Sequence, residues 1–218
     1  MSSYVKGVAF ICEGQTERVF YQSMLEYYLS MHKDYGMFKE QDGSTKDYQL
    51  VLTNDRQSIV IKVYTVGTII AHTQAAANWF KNNCRERYNQ IDWTVFLCYD
   101  TESHERDVSQ FQECDWKELR KSILRSKRTS IVDLAASADI EDMMLLDLNG
   151  VCAYLGIPIC PMPPGRKGKA KMKRIFRENG SCYHEGERAK PLIDALDKGI
   201  IISRSTISLG LIDEICFG

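Results

Sequence analysis

The chain has almost no net charge, with 28 Lys and Arg against 29 Asp and Glu, a balance of -1 at pH 7. That argues against a protein that coats nucleic acid with its whole surface, since such binding rests on summed positive charge. No apolar run is long enough to cross a bilayer, so no membrane association is expected. No Cys-x-x-Cys pair occurs. The eight cysteines stand apart at 12, 84, 98, 114, 152, 160, 182 and 216, suggesting neither a zinc site nor a disulfide framework but buried thiols in a reducing cytoplasm. No Gly-x-x-x-x-Gly-Lys-Ser/Thr loop is present for a nucleotide phosphate. No secretory signal is expected, because residues 1–6 lead straight into a short strand, and the expected location is cytoplasmic. There are only five prolines, no low-complexity tract and no internal repeat.

What is present suits a globular α/β domain. The 218 residues, 44% hydrophobic and 26% charged, fit a single domain with a small insertion around residues 33–58. Residues 8–12 form an apolar run that stops at Glu13-Gly14 before a helical pattern begins. A short continuous run bounded by a turn signal suits a strand buried on both faces, and in open α/β sheets ligands gather at the carboxyl ends of such strands. Thr16 is the expected N-cap of a helix reaching about His32, with Phe20, Met24, Tyr27 or Tyr28, and Met31 inward. Residues 33–46 read as a loop or insertion, with strands following at 48–52 and 59–66. A helix is expected over 71–88, a second apolar strand over 93–99, an amphipathic helix over 108–126 and a third strand over 130–135. Asp139 would cap a helix reaching Tyr154. Residues 156–164 hold four of the five prolines and break regular structure. A basic helix over 169–178, a helix over 191–198 and a tail with a short strand complete the expectation. Alternating strands and helices predict a mainly parallel central sheet with helices on both faces.

Three strand ends run into carboxylates: Glu13, then Asp100 with Glu102, then Glu141 with Asp142. Right-handed crossovers bring such ends to one edge, where clustered like charges raise one another's pKa unless a cation joins them. Oxygen ligands of this kind select Mg2+ or Mn2+. The same acids would also suit helix starts, where the dipole favours negative charge, or a structural ion-pair network. Between residues 165 and 177 stand seven basic residues and no acid: Arg166, Lys167, Lys169, Lys171, Lys173, Arg174 and Arg177. Such a run serves as a solvated face or as a grip on phosphates.

Glu13-Gly14-Gln15-Thr16-Glu17, Asp100-Thr101-Glu102 and the segment 137–142, in this order, resemble the Toprim domain, specifically the RloB-like and OLD-like nuclease group of abortive-infection type. The resemblance spans about residues 5–198. It implies a Rossmann-like fold and a Mg2+- or Mn2+-dependent endonuclease that hydrolyses phosphodiester bonds in DNA or RNA, transfer RNA included. Glu13, Asp100 and Glu102 would hold one metal, Glu141 and Asp142 a second. Glu102 departs from the family's usual aspartate by one methylene. A late lysine of the OLD-like branch would come from Lys167, Lys169, Lys171 or Lys173, with Lys171 and Lys173 preferred on the basic helix, while Arg166, Lys167, Lys169, Arg174 and Arg177 would bind nucleic acid. A role in anti-phage defence, an ATPase sensor as partner and a homodimer follow from the resemblance alone. Two rival readings remain: a housekeeping RNA-processing or primase-like enzyme, and a degenerate Toprim module that only binds. His104 is a candidate neighbour of the ligands or a proton-transfer group. Tyr183 and His184 read as surface residues, and Trp79, Trp93 and Trp116 as core.

Overall fold

The computed structural model describes residues 4–41, 48–67 and 69–218. Strand β1 (Lys6–Cys12) feeds two cores at once: Val8, Phe10 and Cys12 join one, Ala9 and Ile11 the other. Burial on both sides is why its sequence is continuously apolar instead of alternating. Two antiparallel strands follow, β2 (Gly36–Gln41) and β3 (Tyr48–Thr53). Strands β4 (Ser58–Thr65) and β5 (Asp92–Asp100) flank β1 in parallel, and β6 (Thr129–Ala136) runs parallel to β5. Among the described residues the sheet order is β2-β3-β4-β1-β5-β6.

Helix α1 (Gln15–Met31) leaves β1 onto the first face. The second face is covered by α2 (Ile69–Phe80), continued by a π turn at Lys81–Arg85, and by the short α3 (Val108–Gln110), a π turn at Phe111–Asp115 and α4 (Lys117–Ile123). The remaining helices return to the first face: α5 (Ile140–Met144), α6 (Leu148–Leu155), α7 (Gly168–Glu178), α8 (Lys190–Ala195), α9 (Lys198–Arg204) and α10 (Gly210–Phe217). The chain therefore leaves β1 and β5 toward opposite faces. That divergence opens a crevice beyond their carboxyl ends, the usual ligand position in such sheets.

The mainly parallel α/β architecture expected from the sequence is present, and several local expectations need correction. Residues 36–41 form an edge strand instead of a loop, held by backbone pairing to β3 although most of its side chains are exposed; the rest of the expected loop, residues 42–46, lies outside the described residues. Gly14, not Thr16, is the N-cap of α1, and Met31 is exposed while Phe20, Met24 and Tyr28 are buried. The expected helix over 139–154 is interrupted at Leu145–Asp147, where Asp147 caps a new start by accepting from the Gly150 amide at 3.0 Å. The expected strand in the tail is helical. Asp197 accepts from the Ile200 amide and starts α9, so the Ile200-Ile201-Ile202 run turns onto the core as a helix. Trp93 and Trp116 are buried and Trp79 stacks on Tyr64, as expected of core aromatics. No helix among the described residues is long and apolar enough to cross a membrane.

Candidate functional site

The rim of the sheet continues its hydrogen bonding past the strand ends, and this brings the acids together. The Glu13 amide donates to Cys98 O (2.8 Å), the Thr101 amide to Ala136 O (2.9 Å) and the Glu102 amide to Ala138 O (2.9 Å). The Asp100 amide in turn donates to Glu13 Oε2 at 3.2 Å. Gly67, with φ +95, passes the end of β1 and donates to Glu13 O at 2.8 Å, a backbone position that suits glycine. Glu102 and Ala138 also adopt positive φ, at 63° and 66°. Non-glycine residues are uncommon there, and such strain concentrates where a site over-determines the backbone.

A cleft of about 520 Å³ opens beyond this rim, lined by Glu17, Asp100, Glu102, Asp139, Glu141, Lys167, Lys169 and Glu185 among others. Burial and the surrounding acids dominate its electrostatics. Desolvation, then Glu17, Glu13, Glu141 and Asp139 in turn, push Asp100 up to about 10. Burial raises Glu17 to about 7, its own and the Gly14 backbone amides offsetting part of the effect while Glu13 adds to it. Burial likewise raises Glu141 to about 7, against a hydrogen bond from Tyr183 that lowers it. Asp139 is raised as well, chiefly by desolvation. Asp100 Oδ1 is buried without a hydrogen-bond partner. An unpaired buried carboxylate oxygen among other acids is costly, and such a site satisfies itself with a proton or a cation.

The basic helix is docked onto the same acids. Asp139 Oδ1 accepts from the Asp142 amide (3.0 Å), capping α5, while its Oδ2 accepts from the Lys169 amide (3.0 Å) at the start of α7. Asp142 accepts from the Gly168 amide (2.8 Å) and from Lys171 Nζ (2.9 Å). Gly168 has no space for a side chain, because a Cβ would overlap the Asp142 amide nitrogen and the Glu141 carbonyl carbon. The segment after α7 forms the opposite wall: Tyr183 OH donates to Glu141 Oε1 at 2.8 Å, and the Gly186 amide donates to Thr16 Oγ1 at 2.9 Å.

No family model matches the chain, and no curated protein matches it either.

Of the residues nominated from sequence, Glu13, Asp100 and Glu141 converge at the rim, and Glu102 lies at its edge in an ion pair with Lys167. Asp142 is tied to Lys171 and the start of α7 and does not line the cleft, with His104 Nε2 3.6 Å away. Lys171 instead lines a neighbouring cavity of about 740 Å³ with Arg166, Lys167 and His104. His104 thus sits by Asp142 and Ser137, which is 3.1 Å from its Nδ1. Lys169 and Lys173 both pair with Glu185, and Arg174 pairs along the helix with Glu178. Arg166 and Arg177 are exposed. Tyr183, expected at the surface, is buried against Glu141, while His184 is exposed. Glu17, Tyr183 and Glu185 are the site residues that sequence reasoning passed over, while Asp139, expected as a helix cap, holds that position and lines the cleft as well. A Cβ on Gly14 would come within 2.5 Å of Glu17 Oε2, so the glycine lets that carboxylate fold back, a contact visible only in three dimensions.

Among the described residues, no three His, Cys, Asp or Glu side chains stand close enough to hold a metal ion as they are. The donor set is nonetheless all oxygen, with an orphaned Asp100 oxygen at its centre, and fits a hard divalent cation.

Proposed function

We propose that the chain is a metal-dependent nuclease, hydrolysing phosphodiester bonds in DNA or RNA, of the Toprim type similar to the RloB-like and OLD-like group. The buried, unpartnered Asp100 oxygen among Glu13, Glu17, Asp139 and Glu141 carries this reading. Glu13, Glu17, Asp100 and Glu141 are the side chains that would hold Mg2+ or Mn2+. When bound, such an ion lowers the pKa of water and stabilises charge on a phosphoryl oxygen.

The chain's own residues do the rest. Tyr183 donates to Glu141 and fixes the orientation of its carboxylate. Asp139 ties the start of α7 to α5, setting Lys167 and Lys169 beside the acids. Those lysines then meet a substrate phosphate at the cleft, where they attract it and offset the negative charge gathered in hydrolysis. Arg166, exposed on the neighbouring cavity, extends the basic surface along a phosphate backbone. A defence role, an ATPase sensor and a homodimer belong to this proposal through the family resemblance.

A binding module without catalysis is the second reading, favoured by one observation: Glu102, the residue that departs from the family's aspartate, is paired with Lys167. Incubation of wild type and Asp100→Asn with plasmid DNA and with total RNA, with Mg2+ or with chelator, separates the two. The nuclease reading expects metal-dependent cleavage of one substrate by wild type and loss of at least 100-fold in the variant. Wild type without metal-dependent cleavage of either substrate, or full activity in the variant, overturns it.

A further inference from the structure

We propose that Glu185 acts as an internal stand-in for a phosphate, holding Lys169 and Lys173 until a nucleic-acid backbone displaces it. The inference rests on the nucleic-acid reading above and adds to it a residue that sets how tightly a polyanion binds. The Glu185 carboxylate bridges the two lysines, Oε2 to Lys169 Nζ at 2.5 Å and Oε1 to Lys173 Nζ at 3.0 Å. These lysines are four residues apart on α7 and so share one face of the helix, which lets one planar anion engage both, as two phosphate oxygens would.

The segment carrying Glu185 is fixed on both sides of it, by the Tyr183 hydroxyl on Glu141 (2.8 Å) and by the Gly186 amide on Thr16 (2.9 Å). Gly186 has φ +67, the left-handed turn that aims the preceding residue at α7. The Glu185 side chain is 40% exposed, and Glu185 and Lys169 both line the candidate cleft. Lys171 differs. Its partner Asp142 is largely buried and also holds the Gly168 amide, so that pair belongs to the docking of the helix. Solvent-exposed ion pairs are weak, so a phosphate can displace Glu185 at little cost.

The test is binding of a labelled single-stranded oligonucleotide in chelator, over a salt series, with folding of each variant checked by its thermal midpoint. Glu185→Gln should bind about 3- to 10-fold tighter than wild type at low salt. Its log K against log salt should keep the wild-type slope, because both complexes end with the same two lysines on phosphates. Glu118→Gln, which removes the same charge from α4 on the other face, should leave binding unchanged. In a Lys169→Gln/Lys173→Gln background the effect of Glu185→Gln should vanish. If it persists there undiminished, Glu185 acts as plain charge repulsion and the proposal is overturned. If wild type binds and Glu185→Gln binds no tighter, the proposal is overturned while the nucleic-acid reading stands. If neither wild type nor Glu185→Gln binds DNA or RNA oligonucleotides, both fall.

Discussion

Asp100 is the residue on which folding and chemistry pull in opposite directions. Burial and four neighbouring acids oppose its charge, and one of its oxygens has no partner. An acid whose pKa is raised by burial must take up a proton to fold, a cost that the uncharged amide does not carry. Asp100→Asn should therefore raise the metal-free thermal midpoint, by roughly 2–4 °C per kcal/mol for a chain of this size, while abolishing any metal-dependent activity. A calorimetric scan in chelator checks the first half, and a lowered midpoint would mean the carboxylate has a partner it needs. Tyr183→Phe should act the other way, costing about 1 kcal/mol in urea unfolding because the buried Glu141 loses a hydrogen-bond donor. Asp100 and Glu13 were legible in the sequence, since each ends a continuous apolar run. Glu17, Tyr183 and Glu185 were not. A glutamate in a first helical turn has an ordinary electrostatic explanation, and residues 181–186 carry no periodicity that tells a buried tyrosine from an exposed one.

At the scale of elements, the docking of α7 on the segment 139–142 decides where the basic residues stand. Its requirement is steric. Gly168→Ala would drive a methyl group into the backbone of Glu141 and Asp142, so a loss of about 3 kcal/mol or displacement of the helix is expected, read by equilibrium unfolding together with oligonucleotide binding. Gly156→Ala is the contrast. That glycine caps α6 at φ +66 with open space around it, and its substitution should cost only about 1 kcal/mol. The basic helix itself was legible from composition, as were all four parallel strands. Its attachment to the acids was not, because Gly168 betrays its close contact only in three dimensions. The tail misled for a related reason: three consecutive isoleucines favour a strand by propensity, and the Asp197 cap with packing on the first face overrode that preference.

For the whole molecule, the acidic rim sets the pH dependence. Glu17 and Glu141, ordinarily at 4.5, sit near 7 in the folded chain, so between these values the folded state keeps protons that the unfolded state has released. Their contribution to stability is complete below about pH 4.5 and is lost as pH rises through about 7, and Asp100 extends the loss toward about 10. In chelator the protein should be more stable at pH 5.5 than at pH 8, on the order of a few kcal/mol; equal midpoints at the two values would count against the buried acid cluster. A divalent ion must displace those protons, so its stabilising effect should grow as pH rises.

The most direct measurement is a thermal-shift titration with Mg2+ and Mn2+ at pH 8, wild type beside Asp100→Asn. A site shared by Glu13, Glu17, Asp100 and Glu141 predicts saturable stabilisation of wild type, about 2.7 kcal/mol at a hundredfold excess over Kd, or roughly 5–10 °C. The variant should lose most of that shift. No shift in wild type, or an equal one in both proteins, would contradict a cation held at this rim.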